Sequence, residues 1–209
     1  VSASNRKKFS KVDLCSDFTQ IPMDLESGNI LTINTQKGLY RMMRAPFGFH
    51  GCPAIFQRRI SSIAADLPGV ADFLDDLCVT GANDAEHLAN LNRLFIRLRN
   101  NGAKLNFDKC EFFRDSVEYL GFSIDADGVH PQQSKLDAIR KIQPPKDVTS
   151  QRALIGFFNY YAHFIPDLAT IMAPYYELLK KDKKFVWSNE CDKALHQLKS
   201  IFSSEQVLT

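Results

Sequence analysis

The chain reads as an α+β fold, an antiparallel sheet packed on helices and followed by a small helical bundle, and three observations predict it. Strand-like apolar runs at residues 9–15 and 70–79 alternate with segments of helical period. The second run has the form of a hairpin standing between two helices, which covers one face of a sheet and leaves the other open. From residue 131 the apolar residues keep helical spacing.

In chain order, Phe9-Ser10-Lys11-Val12-Asp13-Leu14-Cys15 is the first strand. A Gly- and Pro-rich loop, Arg44 to Pro53, opens directly into a helix carrying Phe56, Ile60, Ile63 and Leu67 at helical spacing and closed by Pro68-Gly69. Such a loop brings bare backbone close to a flat or phosphorylated ligand, though by itself it only starts a helix. Asn83, with Glu86 three residues on, caps a second helix that carries Leu88, Leu91, Phe95 and Leu98 on one face and stops at Gly102. Beyond 131, Ser134 caps a helix with Leu136, Ile139 and Ile142, ended by Pro144-Pro145. Thr149 caps another with Leu154, Phe158, Tyr161 and Ile165, ended near Pro166. A segment from Leu168 to Lys181, interrupted by Pro174, leads to a basic turn at 180–184, and a last helix runs from about Asn189 to Phe202.

The chemistry lies in the hairpin Val70-Ala71-Asp72-Phe73-Leu74-Asp75-Asp76-Leu77-Cys78-Val79. Burying one ionised carboxylate without a partner costs several kcal/mol, and adjacent ones repel as well. A divalent cation answers both problems; a two-residue Asp-Asp turn pointing into water answers them without metal, but such turns prefer Asn-Gly or Asp-Gly. Asp13, on the other strand-like run, supplies a third acid. Carboxylates from different strands converging on one sheet edge are what two-metal phosphoryl chemistry needs, with the cations roughly 3.5–4 Å apart. Magnesium prefers such an oxygen-only shell.

Composition fits a globular chain with ample core: 209 residues, 44% hydrophobic and 24% charged. No apolar stretch approaches membrane-spanning length and no secretory leader is expected. Cys15, Cys52, Cys78, Cys110 and Cys191 have no paired spacing and read as reduced, mostly buried thiols in a reducing, intracellular compartment. The five histidines are equally scattered. The net charge of +2 hides a slight asymmetry: residues 131–209 hold 11 Lys and Arg against 8 Asp and Glu, residues 1–130 hold 15 against 16. The basic excess suits a duplex backbone, and a solvated surface explains it nearly as well.

The three segments around Asp13, around Pro46-Phe47-Gly48 and around Asp75-Asp76 resemble, in this order, motifs A, B and C of a reverse transcriptase of the gypsy class of long-terminal-repeat retrotransposons. The resemblance extends to Lys37-Gly38-Leu39-Tyr40-Arg41, Pro53-Ala54-Ile55-Phe56-Gln57, Lys109-Cys110-Glu111-Phe112, Tyr119-Leu120-Gly121-Phe122, Gly156-Phe157-Phe158-Asn159-Tyr160-Tyr161 and Phe164-Ile165-Pro166. It implies a polymerase palm with partial fingers and a primer-grip hairpin over residues 1–130, a helical thumb over 131–183, and over 184–209 the start of a connection towards ribonuclease H.

The resemblance also implies roles. Asp13, Asp75 and Asp76 would be the catalytic, metal-binding acids, Asp76 more supportive than ligating, around two Mg2+ ions for which Mn2+ could substitute. Phe18 would block a ribose 2′-hydroxyl, since a rigid ring leaves no volume for one more oxygen; an ordinary core phenylalanine is the alternative. Phe47 and Gly48 would lie under the incoming nucleotide, and Gln57 near the template. Lys109 would face the triphosphate, with a plain surface lysine as alternative. Tyr119, Leu120, Gly121 and Phe122 would grip the primer, or Tyr119 and Phe122 are simply half-buried strand residues. The implied partners are an RNA or DNA template with its primer, deoxynucleoside triphosphates, and the ribonuclease H and integrase domains of a parent Pol polyprotein, with no membrane.

Three positions depart from the family pattern: Cys15 where an arginine is frequent, Asp17 where a glycine is usual, and Phe73 for the commoner tyrosine. Asp17 would add a fourth acid near the metals. Asp13 comes so early that most of the fingers is expected to lie outside this chain, which reads as a piece of a polyprotein or a degenerate copy. The function expected is RNA-directed DNA polymerase. A catalytically inactive remnant that binds nucleic acid or protein is the alternative, and an RNA-templated RNA polymerase would need ribonucleotide acceptance, against which Phe18 argues.

Overall fold

The computed structural model describes residues 6–15, 17–180 and 185–203; the side chain of Asp17 and residues 181–184 of the basic turn expected at 180–184 lie outside the described residues. The chain divides into two compact units, Val1–Tyr119 and Leu120–Thr209. The division falls about ten residues before the boundary expected at 130, because the strands that follow Tyr119 cluster with the helices.

In the first unit β1 (Lys8–Asp13) is followed by a 3-10 turn (Asp17–Gln20), α1 (Leu25–Ile30) and the hairpin of β2 (Thr32–Thr35) and β3 (Gly38–Arg41). Then come α2 (Cys52–Ala64), β4 (Val70–Phe73), β5 (Asp76–Gly81), α3 (Asp84–Asn100), a 3-10 turn (Phe107–Lys109), β6 (Glu111–Arg114) and β7 (Val117–Tyr119). The sheet has the order β4-β5-β1-β6, with each neighbouring pair antiparallel. Its register sets Val12 opposite Leu77 and Asp13 opposite Asp76. Side chains alternate across a strand, so Val12 and Leu14 enter the core under α2 and α3, with Phe56, Ile60, Leu77, Val79, Leu91, Leu94 and Leu98, while Lys11 and Asp13 share the opposite face. Each fully buried side chain of this size contributes about 1.5–3 kcal/mol of transfer free energy.

The structure corrects several boundaries. The helix after the Gly/Pro loop ends at Ala64 and not Leu67, because Asp66 takes a left-handed φ of 61° that breaks the ladder. The face of α3 is rotated from the one expected: Leu88 is 58% exposed, whereas His87, Asn90, Leu91, Leu94 and Leu98 are buried. Two polar residues can point inward because the sheet partners them. Ser10 Oγ lies 2.7 Å from His87 Nε2, and Asn90 Nδ2 donates to the Thr80 carbonyl at 2.9 Å.

In the second unit the hairpin of β8 (Phe122–Ile124) and β9 (Val129–Pro131) precedes α4 (Gln133–Lys141), α5 (Val148–Tyr160), α6 (Leu168–Glu177) and α7 (Asn189–Ile201). Gln132 and not Ser134 starts α4, and α5 is capped by Asp147 and not Thr149: its carboxylate accepts from Ser150 N–H at 2.8 Å in a reciprocal box that a serine in place of the usual Glu completes. Tyr161 and Ile165 lie beyond α5, flanking a 3-10 turn (Ala162–Phe164), yet remain in the core. α6 runs through Pro174 to Glu177 and is not interrupted there; its lost hydrogen bond is outweighed by burial of Ile171, Met172 and Tyr175. The C-terminal helix is part of this unit's core, with Leu195 and Leu198 packed among Phe158, Tyr161 and Tyr175, and Tyr175 stacked on Trp187 at 5.5 Å.

Candidate active site

The hairpin turn between β4 and β5 is not Asp75-Asp76. Phe73 pairs with Asp76, so the two turn residues are Leu74 and Asp75, and Asp76 opens β5. Leu74 has a left-handed φ of 50°, which costs a residue with a Cβ about 1–2 kcal/mol. That turn lifts the Asp75 carboxylate beside Asp76, and the cross-strand pairing brings both to Asp13. Each of the three offers an oxygen within 4.8 Å of the others. The sequence-predicted acids therefore meet.

Main-chain bonds hold the acid-bearing backbone. Leu14 N–H donates to the Asp75 carbonyl at 2.8 Å and Asn106 N–H to the Asp13 carbonyl at 2.9 Å. The Asp13 N–H points at Cys110 Sγ, 3.4 Å away. Tyr119 is buried, and its hydroxyl donates to the Asp76 carbonyl at 3.2 Å. Burial pushes the Tyr119 phenol well above its usual pKa, so it stays a donor.

Asp13 is 7% exposed, and burial raises its carboxyl above the usual range. The Lys109 charge pulls it back, Asp75 and Asp76 raise it again, and Lys11 lowers it. Lys109 itself is exposed at the end of the 3-10 turn, which the Asn106 bond ties to Asp13. Lys11 Nζ lies 3.3 Å from Asp76 Oδ1, each side chain 23% exposed. Sequence reasoning missed Lys11 in this role. Its position two residues before Asp13 on one strand was the available signal, because period two puts both on one face.

Hard oxygen donors that share a crowded negative charge are the donor set for a divalent cation, and among the described residues Lys11 and Lys109 oppose that charge. The three carboxylates would hold such an ion, which would also offset the cost of burying the Asp13 charge.

The remaining expected residues fall as follows. Phe18 is half-buried, its ring edge-on to Phe56 and to Phe47 at 5.8 Å each, so it is a core residue on one side and available on the other. Phe47 is 66% exposed. Gly48 has a φ of 86° with open space where a Cβ would stand. Gln57 is turned inward: its Oε1 accepts from Leu74 N–H at 2.6 Å and its Nε2 donates to Asp72 Oδ2 at 2.7 Å. Leu120 and Gly121 have φ values of 49° and 78° and form a tight turn. Phe122 stacks on Tyr160 at 5.3 Å, and the Tyr160 hydroxyl donates to the Leu120 carbonyl.

An antiparallel sheet backed by helices, with one acid on an inner strand and two at the neighbouring hairpin, is an arrangement suited to two-metal phosphoryl chemistry. The family model described as reverse transcriptase (RNA-dependent DNA polymerase) matches residues 2–124. The chain belongs to the reverse transcriptase family. It is 37% identical to the retrovirus-related Pol polyprotein from transposon 412 of Drosophila melanogaster over 93% of this chain and 16% of that protein. To the Pol polyprotein from transposon 297 of the same organism it is 34% identical, over 96% of this chain and 19% of that one. The Schizosaccharomyces pombe Tf2-3 polyprotein is 28% identical over 96% of this chain and 15% of its own length. The expected gypsy class is consistent with these relatives, of whose length the chain spans less than a quarter. Among solved structures, a foamy viral protease-reverse transcriptase in complex with RNA/DNA hybrid matches with a TM-score of 0.84 and 26% identity, over 97% of this chain and 28% of that one. The same protein in complex with dsDNA gives 0.86 and 26%, over 97% and 43%.

Proposed function

We propose that this chain carries the nucleotidyl-transfer centre of an RNA-directed DNA polymerase, adding deoxynucleotides to a primer 3′-hydroxyl on an RNA or DNA template. The convergence of Asp13, Asp75 and Asp76 carries the reading. Two divalent ions held there, Mg2+ or in its place Mn2+, would supply the Lewis acidity that lowers the pKa of the 3′-hydroxyl and offsets charge on the leaving pyrophosphate. Asp13 and Asp75 bind and orient; Asp76, engaged with Lys11, supports.

Lys109, whose charge already reaches Asp13, faces the triphosphate. Phe18, braced by Phe56, excludes the 2′-hydroxyl, and Phe47 with the open backbone at Gly48 lies under the incoming base. The turn from Tyr119 through Leu120 and Gly121 to Phe122 grips the primer end. Its solved relatives hold RNA/DNA hybrid and dsDNA, which supports nucleic acid as partner; its sequence relatives are Pol polyproteins, and ribonuclease H and integrase are the companion domains this reading expects in such a polyprotein. Among the described residues no helix is long and apolar enough to cross a membrane, and cysteines joined by no disulfide accord with an intracellular setting.

Primer extension with Mg2+ tests the reading. The chain extends a primed template with deoxynucleotides in preference to ribonucleotides, and Asp75→Asn lowers the rate at least about a thousandfold while leaving duplex binding within about twofold, as expected for loss of a metal-held transition state. Undiminished extension by Asp75→Asn refutes it. Salt-sensitive duplex binding without any incorporation assigns the chain instead to a binding module.

A further inference from the structure

We infer that Gln57, Ser61 and Asp72 form a positioning clamp that sets the Asp75 carboxylate, and that Gln57 acts through this turn and not by touching the template. This rests on the metal-binding reading of Asp13, Asp75 and Asp76 given above.

The turn needs such a clamp. Leu74 stands at a φ of 50°, a conformation that a leucine leaves readily unless its surroundings fix it. The hydrogen bond that holds its N–H comes from a side chain: Gln57 Oε1 accepts it at 2.6 Å. The other end of the same amide is fully committed. Gln57 Nε2 donates to Asp72 Oδ2 at 2.7 Å and to Ser61 Oγ at 2.9 Å, and Ser61 Oγ donates to the same Asp72 oxygen at 2.6 Å. Gln57 and Ser61 lie one turn apart on α2, a rigid element packed against β4, so the clamp ties the strand before the turn and the turn itself to one helix.

Both Nε2 hydrogens are used inside the protein, which leaves the amide no donor to offer a base or a phosphate. The geometry also fixes the amide's orientation. Leu74 N–H can only donate and the Asp72 carboxylate only accepts, so a side chain that presents one acceptor and one donor is required. Glutamine meets that demand. A glutamate in its place would still accept from Leu74 but would set two carboxylates against each other. Replacing Asp72 by asparagine as well would then restore a hydrogen bond with reversed polarity, the new amide donating to the new carboxylate.

That reversal supplies the test, made on the full chain with Mn2+ as probe. Mn2+ affinity is read by electron paramagnetic resonance, and protection of the Leu74 amide by hydrogen exchange. Gln57→Glu weakens Mn2+ binding about tenfold, the scale on which groups that orient a metal ligand act, and exposes the Leu74 amide to exchange; the pair Gln57→Glu with Asp72→Asn recovers both to within about twofold. Gln57→Leu, which cannot be rescued by Asp72→Asn, serves as the control for a merely structural loss. An unchanged Leu74 amide in Gln57→Glu, or equal Mn2+ affinity in the single and the paired variant, overturns the clamp. A parent chain that binds no Mn2+ overturns the metal reading itself, and the Leu74 amide then still decides whether Gln57 holds the turn.

Discussion

Gly69, the residue before β4, is where the hairpin that carries the acids is most sensitive to a single methyl group. Its φ is 68°, and a Cβ there would stand 2.6 Å from the Thr80 carbonyl oxygen, 2.9 Å from Asn90 Nδ2 and 3.1 Å from Thr80 Oγ1. The left-handed conformation alone costs alanine about 1 kcal/mol. The contact with a main-chain oxygen cannot be relieved by a rotamer change, so Gly69 must move away from β5. That movement stretches two bonds to the Gly69 carbonyl, from Thr80 N–H at 2.7 Å and from Thr80 Oγ1 at 3.2 Å, each contributing about 1 kcal/mol. Gly69→Ala should therefore destabilise the first unit by about 3 kcal/mol and lower its thermal midpoint by about 12 °C, taking about 4 °C per kcal/mol for a unit of this size. Gly102→Ala is the internal control: φ is 65° and no atom lies within 4 Å of the added Cβ, so only the conformational term of about 1 kcal/mol applies. Thermal denaturation followed by circular dichroism, with hydrogen exchange of the β5 amides to assign the change to this unit, measures both. A midpoint for Gly69→Ala no lower than that for Gly102→Ala would refute the close-approach argument.

Two further outcomes are expected. Lys11→Met removes the cation 3.3 Å from Asp76, so Mn2+ should bind about fivefold more tightly, the equivalent of about 1 kcal/mol for a partly exposed pair, and raise the thermal midpoint more than in the parent; equal metal-induced shifts would exclude competition between Lys11 and the ion. His87 is fully buried, and burial holds its imidazole below the ordinary value of about 6.5. Its neutral form contributes stability that is complete above that value and is lost as the pH falls through the depressed one, because the unfolded chain takes up the proton first. Urea denaturation at about pH 7.5 and about pH 5, on either side of the ordinary imidazole value, should show a larger loss in the parent than in His87→Gln, and parallel losses would count against it.

The acids were legible because their chemistry is local: Asp75-Asp76 stands out within an apolar run, and Asp13 interrupts another. Their pairing was not, since the register of Asp13 against Asp76 is set by strands far apart in sequence. The same limit explains α3. A sequence that shows only Leu88, Leu91, Phe95 and Leu98 favours an apolar stripe, whereas His87 and Asn90 turn inward for partners on β1 and β5 that no helical window contains. The hairpin of β2 and β3 was hidden for another reason: every residue in both strands is exposed, so no alternation marks them. Gln57 was visible as a residue but not as a role, because its function depends on which way the amide points.

Three carboxylates with oxygens within 4.8 Å of one another repel, and the question is what keeps them there. The bonds that fix them avoid their charge altogether: Asp75 is held at its carbonyl by Leu14, Asp76 at its carbonyl by Tyr119, and Asp13 at its carbonyl by Asn106. Each such bond contributes on the order of 1 kcal/mol, comparable with the repulsion left between partly solvated charges once Lys11 and Lys109 oppose them. Burial, more than this repulsion, is what raises the Asp13 carboxyl, and the strands stay paired. The carboxyl oxygens therefore remain available while the backbone beneath them is fixed, which is the condition for a site to take a cation without rearranging. It follows that weakening the backbone ties should reduce cation affinity even where every carboxylate is retained, whereas weakening the lysines should increase it, and the opposite signs separate positioning from charge.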